Sequence, residues 1–305
     1  MKDIIIEVKY GGLGDHLFYS HIPKLAKERG HKVFVSTRSV FRNPEYMDLI
    51  WKRNKYVTGV TDLPGTGCLE SLGDIREDEN LLGAISRSVG IEGEIEKHPN
   101  PYLDYTIEDA DSYFFNRYCN RYCDHMGHFD PIFMRIMNQH QVTGFGLVDL
   151  NFISYVGNID PDRLVDKLIN DVFSDTNKVL GEKLGSSIPI YVTRGKEDSD
   201  FCNAVTNRFY GSLASQYGNI TMLPRLNFME YVALVFMARD FFCLTSGGAT
   251  LRSCFLGDHV YGPRYGLPRW KPTTTCYYGN GQNPAFHHVH PKYQSDHSFS
   301  YIGVS

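Results

Sequence analysis

The sequence predicts an α/β protein of two Rossmann-like domains whose parallel sheets face a central cleft. At 305 residues the chain exceeds what one hydrophobic core usually supports, so two domains are expected. Short apolar runs alternate with helical patterns in the first 40 residues and again after residue 188. Apolar residues make up 42% of the chain and charged residues 22%, which is typical of a globular protein.

The first strand-helix-strand unit lies at the N-terminus. The apolar run Ile4–Val8 predicts a buried strand, and a glycine-rich turn follows it. Asp15 is predicted to cap the next helix, which Pro23 should kink and Gly30 should end. Val33–Val35 is then the second strand, and the short loops indicate a parallel pair.

Strands between residues 40 and 150 cannot be placed from the sequence. Turn residues near Asn158 favour a domain boundary there, which gives domains 1–157 and 158–305. A polar helix is predicted from Pro161 to about Leu180. The strands predicted beyond it are Ile188–Val192, Ile220–Leu223, Phe241–Leu244 and His259–Tyr261.

Two helices are predicted, one before and one after the strand Phe241–Leu244. Asn227 and Glu230 have the spacing of a capping box and open a helix that runs through Ala238. A tight turn is predicted over Thr245–Gly248, followed by a short helix over Ala249–Leu256. Ligands are expected at the carboxyl ends of both sheets, in the cleft.

Charge and cysteine content narrow the class of protein. A formal charge of −4 and a pI near 6.3 give no reason to expect a nucleic-acid partner. No run of about 18 apolar residues is present, so no transmembrane segment is predicted, and peripheral membrane contact stays open. Seven scattered cysteines and a start without a secretory pattern favour the cytoplasm.

The glycine-rich turn is the first candidate site. In Lys9-Tyr10-Gly11-Gly12-Leu13-Gly14-Asp15, bare glycines let the backbone approach a ligand, and N–H groups at a helix start attract anions. A dinucleotide fingerprint would require glycine at Leu17 and an acidic residue near Arg38, and both are missing. A cation and a carboxylate flanking such a turn suit the joining of an activated sugar to a hydroxyl.

The run Val8–Leu17, followed by Pro23 and Leu25, resembles the N-terminal motif of glycosyltransferase family 9, the ADP-heptose:lipopolysaccharide heptosyltransferases. It is also similar to the start of bacterial glycogen synthases. The resemblance implies a GT-B fold, with Asp15 as catalytic base and Lys9 in the active site. It further implies that Gly11, Gly12 and Gly14 bind substrate.

The second half carries a matching resemblance. Asn227–Gly248 is similar to the family's helix and strand leading into an Asp-Ser/Thr-Gly loop, and Thr193-Arg194-Gly195-Lys196 is similar to its phosphate-side segment. Together the matches cover roughly residues 3–38 and 188–271. The residues thereby predicted to bind the substrate are Thr193, Arg194, Lys196, Thr245, Ser246, Gly247 and Gly248. Thr245 stands where the family has aspartate, so the donor nucleotide and sugar stay open.

The resemblance predicts an inverting glycosyltransferase that moves a sugar from an ADP-, GDP- or UDP-linked donor to a glycan or glycolipid acceptor. Arg194 and Lys196 would offset the diphosphate charge, so neither a metal nor a cofactor is expected. An Asp-x-Asp metal motif is not predicted at any strand end, since Asp109 and Asp111 fall in a helix or loop. By family analogy, the pathway would be surface polysaccharide or lipopolysaccharide synthesis.

Several alternatives stay open. The chain could be an NADP-dependent oxidoreductase with Arg38 at the 2′-phosphate, or a non-catalytic nucleotide-sugar binding protein. Asp15 could only cap its helix, and Tyr10 and His16 could either contact the acceptor or pack. A zinc site at Cys119, Cys123, His125 and His128 is a further alternative, although its spacing is unusual. The cations Arg264, Arg269 and Lys271 follow the last predicted strand and could either bind the donor phosphates or base or be surface charges. The tract His287, His288 and His290 could bind a metal, although a solvated tail segment is its plain interpretation.

Overall fold

The computed structural model describes residues 2–66, 76, 79–91, 100–106, 108–110, 144–151, 160–173, 188–196, 198–244, 246–255, 273–279 and 297–302. Within these ranges the strands form two sheets, and every strand pair is parallel. In the described part of the chain, helical segments lie between consecutive strands from the first strand to the eighth, as parallel pairing requires. The predicted α/β class with parallel sheets is therefore confirmed.

The chain divides into two compact units. The first comprises Met1–Asp104, Gly247–Leu256 and Gln282–Ser295. The second comprises Tyr105–Ser246, Gly257–Gly281 and Asp296–Ser305.

The sheet of the first unit has three strands, β1 (Asp3–Ile6), β2 (Lys32–Ser36) and β3 (Gly59–Thr61), with β2 in the middle. The apolar residues that predict β1 and β2 are buried because helices cover the sheet. The two helices between these strands are α1 (Leu13–Tyr19) and α2 (Ile22–Glu28). The fully buried side chains of this layer include Ile4, Ile6, Leu17, Ile22, Val33 and Val35.

The structure corrects two predictions in this region. Pro23 does not kink a single helix, because α1 has already ended at Tyr19, and Pro23 occupies the first turn of α2, where its missing N–H is harmless. Asp15 is not the N-cap of α1, which is Gly12. Gly30 does follow the end of α2, with a φ of 73°.

Three further elements complete the described part of the first unit. A π-helical turn spans Met47–Lys52, and α3 spans Leu81–Ser88. The helix α7 (Gly247–Ser253) also belongs to this unit and packs against α1. It begins two residues before the predicted Ala249, so Gly247 and Gly248 are helical rather than part of a turn.

The sheet of the second unit has six strands in the order β6-β5-β4-β7-β8-β9. Their ranges are β4 (Gly146–Asp149), β5 (Ile190–Val192), β6 (Ile220–Met222), β7 (Asp240–Leu244), β8 (Thr273–Gly279) and β9 (His297–Ile302). Counted from β4, this is the order 3-2-1-4-5-6 of a doubly wound sheet. Ligands of such sheets bind at the carboxyl ends of the strands where the order reverses, which is the β4–β7 pair.

Three helices lie in the described part of the second unit: α4 (Pro161–Phe173), α5 (Asp200–Ala214) and α6 (Phe228–Met237). The predicted capping box of α6 is confirmed, since Glu230 N–H donates to Asn227 and Asn227 N–H donates to Glu230. The core joins β4, β5, β6 and β7 to α4 and α5 through Val148, Leu150, Leu164, Leu168, Val192, Val205, Phe209, Ile220 and Phe242.

The two units differ from the predicted domains 1–157 and 158–305. The strand Gly146–Asp149 lies before that boundary but pairs with β5 and β7 of the second unit. Its pairing partners come later in the chain, and local composition carries no signal for such a pairing. The predicted strand His259–Tyr261 lies outside the described residues, as does the end of the predicted helix beyond residue 173.

Candidate active site

The glycine-rich turn after β1 is held along its length by the segment that follows β2. Val8 N–H donates to Ser39 Oγ at 3.0 Å, and Val40 N–H donates to the Val8 carbonyl at 2.9 Å. Two residues further on, Arg42 N–H donates to the Gly11 carbonyl at 3.0 Å. The backbone of the turn is thus fixed by tertiary hydrogen bonds as well as by the start of α1.

Gly11 is required by this close approach. A Cβ atom at this position would lie 2.8 Å from Val40 Cγ1 and 3.1 Å from the Arg42 backbone nitrogen. Real Cβ atoms essentially never come within 3.0 Å of another heavy atom. The absence of a side chain at Gly11 therefore allows the segment after β1 and the segment after β2 to pack closely together.

Asp15 is the third residue of α1, and its carboxylate points back to the start of the helix. Gly12 N–H donates to Asp15 Oδ2 at 2.9 Å. Burial raises the pKa of the Asp15 carboxyl above its usual value, and the Gly12 N–H and the nearby Arg42 charge act in the opposite direction. In the described part of the chain, the Gly12 N–H is the group that donates a hydrogen bond to the Asp15 carboxylate. A half-buried carboxylate with a raised pKa is a stronger base than a solvated one.

His16, the next residue, is buried and has both ring nitrogens engaged. The Trp51 indole N–H donates to His16 Nδ1 at 3.0 Å, so the ring proton lies on Nε2, which donates to the Val40 carbonyl at 2.8 Å. The Phe41 ring stacks on the imidazole at 4.4 Å. Burial lowers the pKa of His16 to about 4, although the bond to Val40 favours the charged form. His16 therefore packs as a neutral ring, whereas its neighbour Tyr10 is 69% exposed.

Gly14 and Gly247 lie at the contact between α1 and α7. A Cβ atom on Gly247 would lie 3.0 Å from the Gly14 backbone nitrogen and 3.0 Å from Leu13 Cβ. The two helices can approach this closely because neither position carries a side chain. Both glycines therefore contribute to the packing of α1 against α7. That they also bind substrate stays a prediction.

The second candidate region lies in the other unit, at the carboxyl ends of β4 and β5. Thr193, Arg194 and Lys196 follow β5 directly. Thr193 is buried, whereas Arg194 and Lys196 are exposed. Arg194 Nε donates to the Leu223 carbonyl at 3.0 Å, which fixes the start of its guanidinium group. Two exposed cations on a fixed loop can bind an anionic ligand.

Asp149 lies at the end of β4 and is 2% exposed. Tyr231 donates its hydroxyl to Asp149 Oδ2 at 2.5 Å, and Thr193 donates to Oδ1 at 3.0 Å. Asn151 donates to the same Oδ1 from its backbone N–H at 3.0 Å and from its side chain at 2.8 Å. Four donors thus stabilise the buried carboxylate. Asp149 is occupied by the protein itself and is a structural centre of this region.

The structure groups the predicted site residues in two sets. Lys9, Gly11, Gly12, Gly14 and Asp15 lie in the first unit with Gly247 and Gly248, and Thr193, Arg194, Lys196 and Ser246 lie in the second. Lys9 is exposed and Gly248 is buried. The predicted residue Thr245 lies outside the described residues, as do Asp111, Cys119, Cys123, His125, His128, Arg264, Arg269, Lys271, His287, His288 and His290.

Sequence reasoning missed Arg42, Trp51, Asp149 and Asn151. Asp149 had a usable signal, because it ends the apolar run from Phe145 to Val148 just as Lys9 follows Ile4–Val8. Arg42 and Trp51 had none, since only the fold brings them to the glycine-rich turn.

No helix in the described part of the chain is long and apolar enough to cross a membrane.

Comparison with known proteins identifies the fold. The chain is similar to the E. coli ADP-heptose LPS heptosyltransferase II, with a TM-score of 0.53 at 11% identity over 100% of this chain and 91% of that one. It also matches a glycosyl transferase family 9 protein from Veillonella parvula, with a TM-score of 0.49 at 11% identity over 99% of this chain and 86% of that one. The likeness to the E. coli heptosyltransferase structure confirms the predicted GT-B fold.

The predicted resemblance to family 9 is confirmed at the level of fold. No protein-family model matches the sequence, and no curated protein matches it. The family likeness therefore lies in the three-dimensional structure and in the short motifs around Lys9–Asp15 and Thr193–Lys196.

Proposed function

We propose that this protein is an inverting, metal-independent glycosyltransferase that moves a sugar from a nucleoside-diphosphate donor to a glycan or glycolipid acceptor. The observation that carries the proposal is Asp15, a half-buried carboxylate with a raised pKa, fixed at a glycine-rich turn after the first strand of a GT-B fold. The fold alone supports many functions, so the proposal depends on this residue.

The first unit supplies the base. Asp15 takes the proton from the acceptor hydroxyl as the hydroxyl oxygen attacks the anomeric carbon of the donor sugar. The bond from that carbon to the diphosphate oxygen breaks, and the diphosphate leaves with the electron pair. A single displacement of this kind inverts the anomeric carbon. Lys9 lies six residues before this carboxylate in the sequence, and the Arg42 charge lowers its pKa. We assign both cations to charge balance around the reacting groups.

The second unit supplies the diphosphate site. Arg194 and Lys196 offset the charge that develops on the leaving diphosphate, and Thr193 fixes the start of their loop by its bond to Asp149. Fixed side-chain cations serve here as a divalent ion does in metal-dependent enzymes. Thr245, Ser246, Gly247 and Gly248 complete the proposed substrate-binding residues, with Gly11, Gly12 and Gly14 in the first unit.

The comparisons support the donor class. The E. coli protein of similar fold is described as an ADP-heptose LPS heptosyltransferase. We extend to this chain only the class, a sugar linked to a nucleoside diphosphate, and a role in surface polysaccharide or lipopolysaccharide synthesis. The odd number of cysteines supports a cytoplasmic site of action.

The decisive experiment replaces the base. ADP-, GDP-, UDP- and CMP-sugars are screened by thermal shift, and nucleotide release from the stabilising donor is followed with and without Asp15→Asn. We expect Asp15→Asn to lower the rate about 10²- to 10⁴-fold, which is the usual contribution of a general base. Asp48→Asn is the matched control, because this carboxylate is exposed and pairs with Lys52. An unchanged rate in Asp15→Asn would refute the assignment of the base.

Two further measurements test the finer points. NMR of the product identifies the anomeric configuration, and a retained configuration would exclude a single displacement. Activity that disappears in EDTA and returns with Mg²⁺ or Mn²⁺ would exclude metal independence. If none of the four donors stabilises the protein, the proposed function itself fails.

One observation favours a different candidate, a nicotinamide-dependent oxidoreductase. The strand order of the second sheet is that of dinucleotide-binding proteins. However, β4 is followed by Leu150 and Asn151 rather than by the glycines that the dinucleotide fingerprint requires next to the pyrophosphate. In the first unit the cofactor-facing candidate Arg38 donates its Nε to the Asp62 carbonyl at 2.7 Å. Tight binding in an NADPH fluorescence titration would revive this alternative.

A further inference from the structure

The loop Thr193–Lys196 is tied to the end of β4 through one side-chain amide. Asn151 Nδ2 donates to the Arg194 carbonyl at 3.0 Å, and Asn151 Oδ1 accepts from Lys196 N–H at 2.8 Å. The amide therefore binds the backbone on both sides of Gly195. A side chain that pairs with successive peptide groups in this way sets the path of the loop.

The orientation of this amide is itself fixed. Asn151 Nδ2 also donates to Asp149 Oδ1 at 2.8 Å, and Asp149 is a buried carboxylate that accepts only. A flipped amide would place its oxygen against that carboxylate oxygen, so the donor end must face Asp149. Tyr231 and Thr193 hold Asp149 in turn, at 2.5 and 3.0 Å. Tyr231 of α6 and Thr193, which follows β5, thus fix the Asp149 carboxylate. Asp149 orients the Asn151 amide, and this amide in turn fixes the loop.

The loop has no freedom to shift toward the helix on its other side. Asn203 Nδ2 donates to the Lys196 carbonyl at 2.7 Å, and a Cβ atom on Gly195 would lie 2.6 Å from the Asn203 backbone nitrogen. The loop is therefore confined between Asn151 and the first turn of α5. The side chains that leave this confined backbone are the two exposed cations, Arg194 and Lys196.

We propose that Asn151 is a positioning residue, which sets the backbone of Thr193–Lys196 so that Arg194 and Lys196 bind the diphosphate of the donor together. The inference rests on the proposed function and extends it to a residue outside both motifs of the sequence. Asn151 itself does not touch the diphosphate. It acts through the separation and direction of the two cations.

Asn219 provides a matched control in the same sheet. Its Nδ2 donates to the Ile188 carbonyl at 2.8 Å, and it is half-buried, as Asn151 is. Asn219 directly precedes β6, and Ile188 lies just before β5, so the pair lies at the amino ends of these strands, opposite the candidate site. Asn151→Ala and Asn219→Ala each remove an amide that binds backbone, so a general loss of stability should be common to both variants.

The test measures binding of ADP, GDP and UDP and of the corresponding nucleosides by calorimetry. We expect Asn151→Ala to raise the Kd of the diphosphate that binds about 10-fold and to leave nucleoside binding unchanged, since only charge-assisted contacts to phosphate are misplaced. Asn219→Ala should change neither. In a Lys196→Ala, Arg194→Ala background, Asn151→Ala should add less than about 2-fold, because coupled residues are not additive.

The outcomes separate the two proposals. If the unaltered protein binds none of the three diphosphates, the donor site is absent and this inference falls with the proposed function. If it binds one, and Asn151→Ala binds it equally well, only the positioning role is overturned. Equal losses for nucleoside and diphosphate would also overturn it. Should Asn151→Ala fail to fold by circular dichroism, Asn203→Ala releases the Lys196 carbonyl from the other side, and an unchanged diphosphate Kd in that variant would refute the inference.

Discussion

The glycine-rich turn of the first unit and the Thr193–Lys196 loop of the second both follow a buried parallel strand, but they are held by different chemistry. Main-chain bonds and a neutral ring hold the first, through Val40, Arg42 and the His16–Trp51 pair. A buried carboxylate holds the second, through Asp149. Because this support is neutral, the charged groups at the first loop are the Asp15 carboxylate and the cations Lys9 and Arg42. At the Thr193–Lys196 loop, the charged Asp149 carboxylate orients the polar groups next to the cations Arg194 and Lys196.

This contrast predicts that the second loop suffers most when its centre is removed. Asp149→Ala removes one acceptor from the Tyr231 and Thr193 hydroxyls and from the backbone N–H and side-chain amide of Asn151. We expect the free energy of unfolding of the second unit to fall by about 3 kcal/mol or more, since each orphaned buried donor costs about 1–3 kcal/mol. Urea unfolding measures the loss. A loss below about 1 kcal/mol would show that water replaces the carboxylate and that Asp149 is not the centre of this region.

The first loop should instead be the one that responds to pH. Burial lowers the pKa of His16 from 6.5 to about 4, so the unfolded chain binds the proton first as pH falls. Stability from this residue is fully present above pH 6.5 and is lost between pH 6.5 and 4. We expect a loss of about 2 kcal/mol at pH 5, at about 1.4 kcal/mol per pH unit.

Hydrogen exchange, corrected for intrinsic rates, locates this effect. Protection at pH 5 relative to pH 7 should fall around residues 16–20 and 40–51 more than around 149–151 and 193–196, a region without histidine. His21 is also buried, with its pKa lowered to about 3, and contributes to the same slope. His16→Gln should therefore reduce the pH dependence without abolishing it. A slope in His16→Gln equal to that of the unaltered protein would contradict the neutral-ring support.

A matched pair of deletions compares the two supports directly. Tyr231→Phe removes one donor from the Asp149 carboxylate, and Trp51→Phe removes one donor from the neutral His16 ring. Hydrogen bonds to charged groups contribute about 1.5–3 kcal/mol and neutral ones about 1 kcal/mol. We expect Tyr231→Phe to lower the free energy of unfolding more than Trp51→Phe does, even though the latter also removes buried ring volume. The reverse order would remove the distinction between the supports.

The smallest effect is expected at a site that belongs to neither loop. Asn227→Ala breaks the capping box of α6, and we expect a loss of about 1 kcal/mol in chemical denaturation. Donor binding should be unchanged, because the cap is not part of either loop. A loss of binding as large as that in Asn151→Ala would mean that the second loop responds to any destabilisation of its unit.

The sequence by itself determined the elements whose signal is local. The strand after Met1, the end of α2 at Gly30, the strands β5, β6 and β7, and the Asn227–Glu230 cap were all predicted within a few residues. Each depends on apolar runs, on glycine or on cap chemistry within a short window, which physical rules relate directly to conformation. The glycine-rich turn and the Thr193–Lys196 segment were found in the same way.

Only the tertiary structure decided how these segments are supported. The pairing of β4 between β5 and β7 joins residues about 40 and 90 positions apart, and no local window records such a choice. Arg42 and Trp51 reach the glycine-rich turn because β2 lies beside β1, and Asn151 reaches Lys196 because β4 lies beside β5. Short sequence motifs therefore suffice to locate the glycine-rich turn and the Thr193–Lys196 loop. Their rigidity and the charge around them depend on side chains that are distant in sequence and that only the folded chain brings close.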